Sequence, residues 1–97
     1  MSELARAEWR IVNRLGLHAR AAAKFVRLAN NFTSSIELSH GDVSVNGKSI
    51  MGVMMLVAGC GSTIRCQAEG PDAHAAIAAL AQLVATGFGE GVVLSDE

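Results

Sequence analysis

At 97 residues with a formal net charge of −1, the chain is one small domain with a single core, and its charge balance excludes nucleic acid or an anionic membrane as the main partner, since both demand a basic excess. Hydrophobic residues make up 51% but aromatic ones only 4%, with no tyrosine, so the core must be built from Ala, Val, Leu, Ile and Met, which favours helices packed on a sheet. Cys60 and Cys66 are too few for a disulfide framework and lack metal-ligand spacing, and no apolar run is long enough to span a bilayer, so a soluble, unexported protein of the reducing cytoplasm, with neither metal nor cofactor, is expected.

In chain order, residues 8–13 alternate, with Trp9 and Ile11 on one side and Glu8, Arg10 and Val12 on the other, which predicts a first strand. The turn at 13–16 feeds a helix predicted over 19–30, where Ala22, Phe25, Val26 and Ala29 recur at i, i+3, i+4, i+7 and form a core stripe. Arg20, Lys24 and Arg27 share another face, either a plain solvated face or a basic ridge running back from the helix N-terminus. Residues 35–39 alternate again with Ile36 and Leu38 inward, His40-Gly41-Asp42 signals a turn, and Val43 and Val45 make the return strand of a hairpin.

The run SIMGVMMLV predicts a short helix over 49–57 with Ser49 as its N-cap. A short helix buries one side only, so Ile50, Met51, Met54 and Met55 are either swallowed by the core or left as an adaptable docking surface. Residues 63–68 alternate with Ile64, Cys66 and Ala68 on one face. Gly70-Pro71-Asp72 opens a last helix, with Pro71 in its first turn, Ala73, Ile77, Leu80 and Val84 as its core stripe, and Gly87 with Phe88 as its C-terminal cap. The resulting order, β-α-β-β-α-β-α, predicts an α+β open-faced two-layer sandwich, an antiparallel sheet of four strands covered on one side by three helices.

Chemistry concentrates in NRLGLHARAAAKFV, residues 13–26. His18 follows a glycine turn and precedes good helix formers, which places it at a helix N-terminus, where unpaired N–H groups and the dipole attract anions. A neutral imidazole nitrogen is a nucleophile that can accept and return a phosphoryl group, and Arg20 offers a planar fork that fits phosphate oxygens. Spacing alone also fits a capping or surface histidine. His40, in the turn, and His74, in the first turn of the last helix, are expected at the surface. Cys66 is expected in the core and Cys60 in a glycine loop.

GLHARAAAKFV, followed downstream by VNGKSIMGVMML, closely resembles the histidine-containing phosphocarrier proteins of the phosphoenolpyruvate-dependent phosphotransferase system, the HPr family. The resemblance covers residues 8–90 of a single 1–97 domain, and the element order matches the family's HPr-like fold. It implies that His18 is phosphorylated through Nδ1 and that Arg20 assists the phosphoryl group. Ser49 becomes the counterpart of a regulatory serine that a dedicated kinase phosphorylates in many members, a plain N-cap being the alternative. Ile50, Met51 and Met54 match the family's docking surface, and Arg27 lies where basic residues help docking.

The partners so implied are the first enzyme of the system as donor, sugar-permease or regulatory phosphoacceptor proteins downstream, and a serine kinase/phosphorylase. The implied working form is a cytoplasmic monomer that carries phosphoryl groups and is not itself an enzyme. A regulatory adaptor of a nitrogen-related branch, acting by protein binding rather than sugar uptake, draws on the same residues. An RNA-binding platform does not, for want of paired strand aromatics and a basic excess. Many members read HARPA where this chain has Ala21; loss of that proline should cost about 0.5–1 kcal/mol while adding an N–H near the phosphate site. Because the phosphorus–nitrogen bond must stay labile, His18 is expected to be exposed and lightly held.

Overall fold

The computed structural model describes residues 2–93, and among them the order is β1 (Glu3–Arg10), α1 (Ala19–Ala29), β2 (Ser35–His40), β3 (Val43–Asn46), α2 (Ile50–Met55), β4 (Thr63–Gly70) and α3 (Ala73–Ala85), followed by a single 3-10 turn at Gly87–Gly89. The strands lie side by side in the order β1-β4-β2-β3, every pair antiparallel. This is the predicted sandwich.

Alternation decides which side of the sheet is dry. Ala5 on β1, Ile36 and Leu38 on β2, and Ile64, Cys66 and Ala68 on β4 turn into the core, where they meet Phe25, Val26, Val53, Leu80 and Val84 from the helices. Phe25 has no exposed surface, and burying a side chain of that size contributes about 1.5–3 kcal/mol. The opposite face is polar: Glu8 stands across from Arg65 and Arg6 from Gln67, so unlike charges and amides pair across neighbouring strands. Arg6 Nε donates to Gln67 Oε1 at 2.9 Å. The Cys66 thiol, desolvated in the core, has its pKa pushed up to about 12 and stays protonated.

Three expectations need correction. Strand one spans Glu3–Arg10 rather than 8–13, because all eight of its residues find partners on β4 between Arg10↔Thr63 and Glu3↔Gly70. The stretch ELARA has little intrinsic strand preference, and pairing overrides it. After Arg10 the chain leaves the ladder and dives inward, so Ile11, Val12 and Asn13 are all buried and Val12 does not face solvent. The second helix is shorter than predicted, ending at Met55, and Val57 takes a left-handed φ of 49° that no continuing helix allows. Helix α3 starts at Ala73, so Pro71 stands before the helix and not in its first turn. Ile77 of its predicted stripe is only partly buried, Ala76 taking the inner position.

Asp72 fixes where α3 begins, though not by capping its own helix. Its carboxylate accepts hydrogen bonds from the backbone N–H groups of Thr33 and Ser34, both at 2.9 Å, and from Ser34 Oγ at 2.6 Å. Gly70 is required beside this knot: its φ is 148°, and a Cβ there would sit 2.5 Å from Ser34 Oγ. The Ser34 hydroxyl, then the Thr33 and Ser34 amides, hold the Asp72 carboxyl below its ordinary value of 3.8. Its folded pKa is thus lower than its unfolded one, and the stability it contributes is complete above 3.8 and lost as pH falls through the folded value. Asp72→Asn is therefore expected to be less stable than the parent at neutral pH, with the gap closing below pH 3.8; urea unfolding of both proteins across this range checks it.

Candidate functional site

The turn at 13–18 is held from beneath. Asn13, wholly buried, donates from Nδ2 to Gly16 O at 2.9 Å, while Gly16 N–H returns to Asn13 O at 3.2 Å. Gly16 has a φ of 67°, and any Cβ there would come within 2.6 Å of Ala58 O. That close approach lets Leu17 N–H donate to Ala58 O at 2.9 Å, stitching the turn to the chain that follows α2. Buried Leu17 then fixes the exit from the turn.

His18 emerges as the N-cap of α1, with extended backbone angles of −76° and 178°. Its Nδ1 accepts the Arg20 backbone N–H at 3.3 Å, so that nitrogen carries a lone pair directed at the helix N-terminus. Its Nε2 meets Glu90 Oε2, and a carboxylate there can only accept, which places the ring proton on Nε2. The imidazole is 27% exposed and engaged at both nitrogens. It is therefore more firmly held than the exposed, lightly held ring expected. Arg20 is exposed, and among the described residues its guanidinium has no hydrogen-bond partner, so its contact with His18 is through the backbone alone. Ala21, where many HPr sequences have proline, is buried within the first turn.

The basic ridge divides. Arg20 and Arg27 face solvent, but Lys24 is half-buried, its Nζ donating to Phe88 O at 2.7 Å. Ser49 caps α2 as predicted, its Oγ accepting the Gly52 N–H at 3.1 Å. Val53 and Leu56 turn inward, while Ile50, Met51, Met54, Met55 and Val57 remain exposed, Met51 to 75% and Val57 to 81%. Leu15, on the turn before His18, is exposed too. The core does not swallow Ile50, Met51, Met54 and Met55: the helix seats itself on two other residues and offers these four to solvent, an apolar surface of the kind that marks contact with another molecule.

Sequence reasoning missed Glu90. Its Oε1 accepts from Asn13 Nδ2 at 3.0 Å while its Oε2 meets His18. Burial works to raise its pKa, but hydrogen bonds from Asn13 and His18 and the charges of His18 and Lys24 outweigh that and hold it below 4.5. It is an anion at neutral pH. The clue in the sequence was Gly87-Phe88-Gly89: a lone aromatic between glycines, here wholly buried with φ 55°, turns the chain back over the start of α1.

The other candidates lie elsewhere. His40 is the last residue of β2 and not a turn residue; it is half-buried, its Nδ1–H donating to Leu56 O at 2.9 Å. His74 is exposed and joins α3 to β1 through Glu3 Oε1 at 3.0 Å. Cys60 is exposed and Cys66 buried, as expected. Among the described residues no group of three His, Cys, Asp or Glu side chains is placed to hold a metal ion, and no helix is long and apolar enough to cross a membrane.

Comparison with known proteins points to one family. The family described as "PTS HPr component phosphorylation site" matches residues 5–86, a segment that stops short of Glu90. The phosphocarrier protein HPr of Cupriavidus necator is 54% identical over 81 residues, covering 84% of this chain and 91% of its own length. That of Neisseria meningitidis serogroup A is 48% identical over 81 residues, with coverage of 84% and 91%. The crystal structure of HPr-C-His from Thermoanaerobacter tengcongensis superposes with a TM-score of 0.87 at 42% identity, covering 91% of this chain and 99% of that one.

Capping gives Ser49 a structural role whatever else it does. Ser49→Ala leaves the Gly52 N–H without its partner and is expected to cost about 1 kcal/mol, read as a lowered denaturation midpoint with unchanged m-value.

Proposed function

The chain belongs to the HPr family of phosphotransferase-system phosphocarriers, and from that membership we propose that His18 accepts a phosphoryl group on Nδ1 from the phosphoenolpyruvate-dependent first enzyme and passes it to a downstream acceptor protein. The observation that carries this is the lone pair of Nδ1 lying at the N-terminus of α1. Phosphoryl transfer needs a nucleophile in line with the leaving group and positive groups around the equatorial oxygens. The α1 N-terminus supplies N–H groups and dipole, Ala21 retaining an N–H that proline would lack, and the exposed Arg20 guanidinium is available to close on the oxygens.

A bound phosphoryl group then sits at the surface, held by groups that water can replace. That suits a group that must leave again. Donor and acceptor dock in turn on the apolar surface of α2, with Ile50, Met51 and Met54 as anchors and Arg27 as a flanking charge. The downstream acceptor is a sugar permease component or a regulatory protein, and the carrier works as a cytoplasmic monomer with no cofactor. An adaptor acting by binding alone, as in a nitrogen-related branch, has no use for an Nδ1 lone pair held at a helix N-terminus near an exposed arginine, so transfer is the better reading.

Ser49 is the proposed regulatory site, addressed by a serine kinase/phosphorylase. A phosphate there would bring nearly two negative charges beside Ile50 and Met51. Its attraction to the first turn of α2 is local, whereas any partner seated on the apolar surface would have to desolvate it.

Two experiments test these assignments. Incubation with phosphoenolpyruvate and a cognate first enzyme should add one acid-labile phosphoryl group to the parent and none to His18→Ala, by intact mass; no gain in the parent from an active donor, or equal gain in the variant, removes His18 from the role. Ser49→Asp should take up the group at least tenfold more slowly, a loss of about 1.4 kcal/mol in the encounter, and uptake at the parent rate would dismiss Ser49 as a switch.

A further inference from the structure

Transfer through Nδ1 leaves the partner of the other ring nitrogen without a role. Glu90 does not reach His18 as a loose tail. Phe88 is wholly buried and anchors the segment, Lys24 Nζ donates to Phe88 O at 2.7 Å, and Glu90 N–H donates to Gly87 O at 2.9 Å. Beyond it, Val93 N–H donates to Val12 O at 2.8 Å, so the chain is pinned on both sides of the carboxylate. Buried Asn13 holds Oε1 at 3.0 Å and leaves Oε2 to the imidazole.

We propose that Glu90 is a positioning residue for the phosphoryl step: its carboxylate holds the His18 ring as the Nε2–H tautomer and balances the positive charge the ring acquires while phosphorylated. The inference rests on the carrier reading of His18. In the accepting step the Nδ1 lone pair forms the bond to phosphorus as the donor's bond to phosphorus breaks, its electron pair departing with the donor. The Nε2 proton stays where it is, so the ring becomes a phosphoimidazolium cation. In the returning step the acceptor's nucleophile takes the phosphorus and the nitrogen–phosphorus pair falls back onto Nδ1. No proton moves in either direction. The ring must therefore arrive with its proton already on Nε2, and its charge must be met where that proton lies, by a group fixed before the donor docks. Glu90 satisfies both demands, and as an anion at neutral pH it does so without itself changing state.

The variants Glu90→Gln and Glu90→Ala separate charge from hydrogen bonding, since the amide oxygen can still accept from Nε2–H but is neutral. Each is compared with the parent for initial rate of phosphoryl uptake from phosphoenolpyruvate and the first enzyme, for the 15N shifts of the two ring nitrogens, and for its thermal melt. The parent should show a protonated Nε2 and an unprotonated Nδ1. Uptake should slow about tenfold in the Gln variant and further in the Ala variant, whose ring shifts should move towards a mixed tautomer population while the melt shows it folded. Uptake at the parent rate with unmoved ring shifts overturns the role of Glu90 and leaves the carrier reading standing. Slower uptake with unmoved ring shifts in the Ala variant assigns the residue to docking and likewise overturns it. If the parent takes up nothing from an active donor, the carrier reading falls and this inference with it.

Discussion

The site depends on one buried amide. Asn13 has no exposed surface, yet its Nδ2 satisfies two acceptors, Gly16 O and Glu90 Oε1, from two ends of the chain. A buried polar side chain is kept only when its partners need it, and losing it would leave the buried Gly16 carbonyl unpaired and release the Glu90 carboxylate from its anchor. The first bond shapes the turn that presents His18, the second places the anion that faces the ring, and both use the two hydrogens of one nitrogen. Spacing between His18 and Glu90 is thus set by a rigid group beneath them. The Asn13 Oδ1, on the far side of the amide, is buried without a partner among the described residues, a cost accepted at the point where the turn and the C-terminal segment meet.

The elements that follow local rules were legible in the chain. Ala22, Phe25, Val26 and Ala29 at helical spacing predicted a buried stripe, and all are buried; Ile64, Cys66 and Ala68 at period two predicted an inward strand face, and all are inward. The Ser49 cap was legible for the same reason, since it involves an N–H three residues away. Long-range pairings were not. ELARA becomes strand only because β4 is there to pair with it, and Glu90 meets His18 across 72 residues of sequence. No periodicity reports such contacts; only the buried aromatic between two glycines hinted that the chain turned back.

The fold closes its two sides unequally. The open face of the sheet is covered by interleaved charges and amides, with Glu8 across from Arg65 and Arg6 across from Gln67, and needs nothing further. The helical side cannot close as neatly, because α2, at six residues, is too short to bury more than one side. Val53 and Leu56 seat it, and every other large apolar side chain it carries remains in water. Hydrophobic surface left open in this way is a standing cost in the free protein and a gain on association. Since Leu17 N–H bonds to Ala58 O, just past α2, the apolar surface and the imidazole turn are tied together by backbone.

A carrier must solve a problem that an enzyme does not: the product of its first reaction is the substrate of its second, so neither the free nor the loaded form can be favoured strongly. Loading adds negative charge at Nδ1 and positive charge on the ring. On the proposed route the N–H groups of α1 and Arg20 would meet the first, and Glu90, already at Nε2, would meet the second. If only the phosphoryl oxygens were stabilised, the group would be trapped; if only the bare ring were, it would never be accepted. A fixed carboxylate at Nε2 favours the cation without touching the transferred oxygens, so it eases acceptance while leaving the oxygens to water and to whichever partner arrives. Because the carboxylate is already in place before loading and remains there after release, its organisation is complete in both forms, and the same geometry serves the step in either direction.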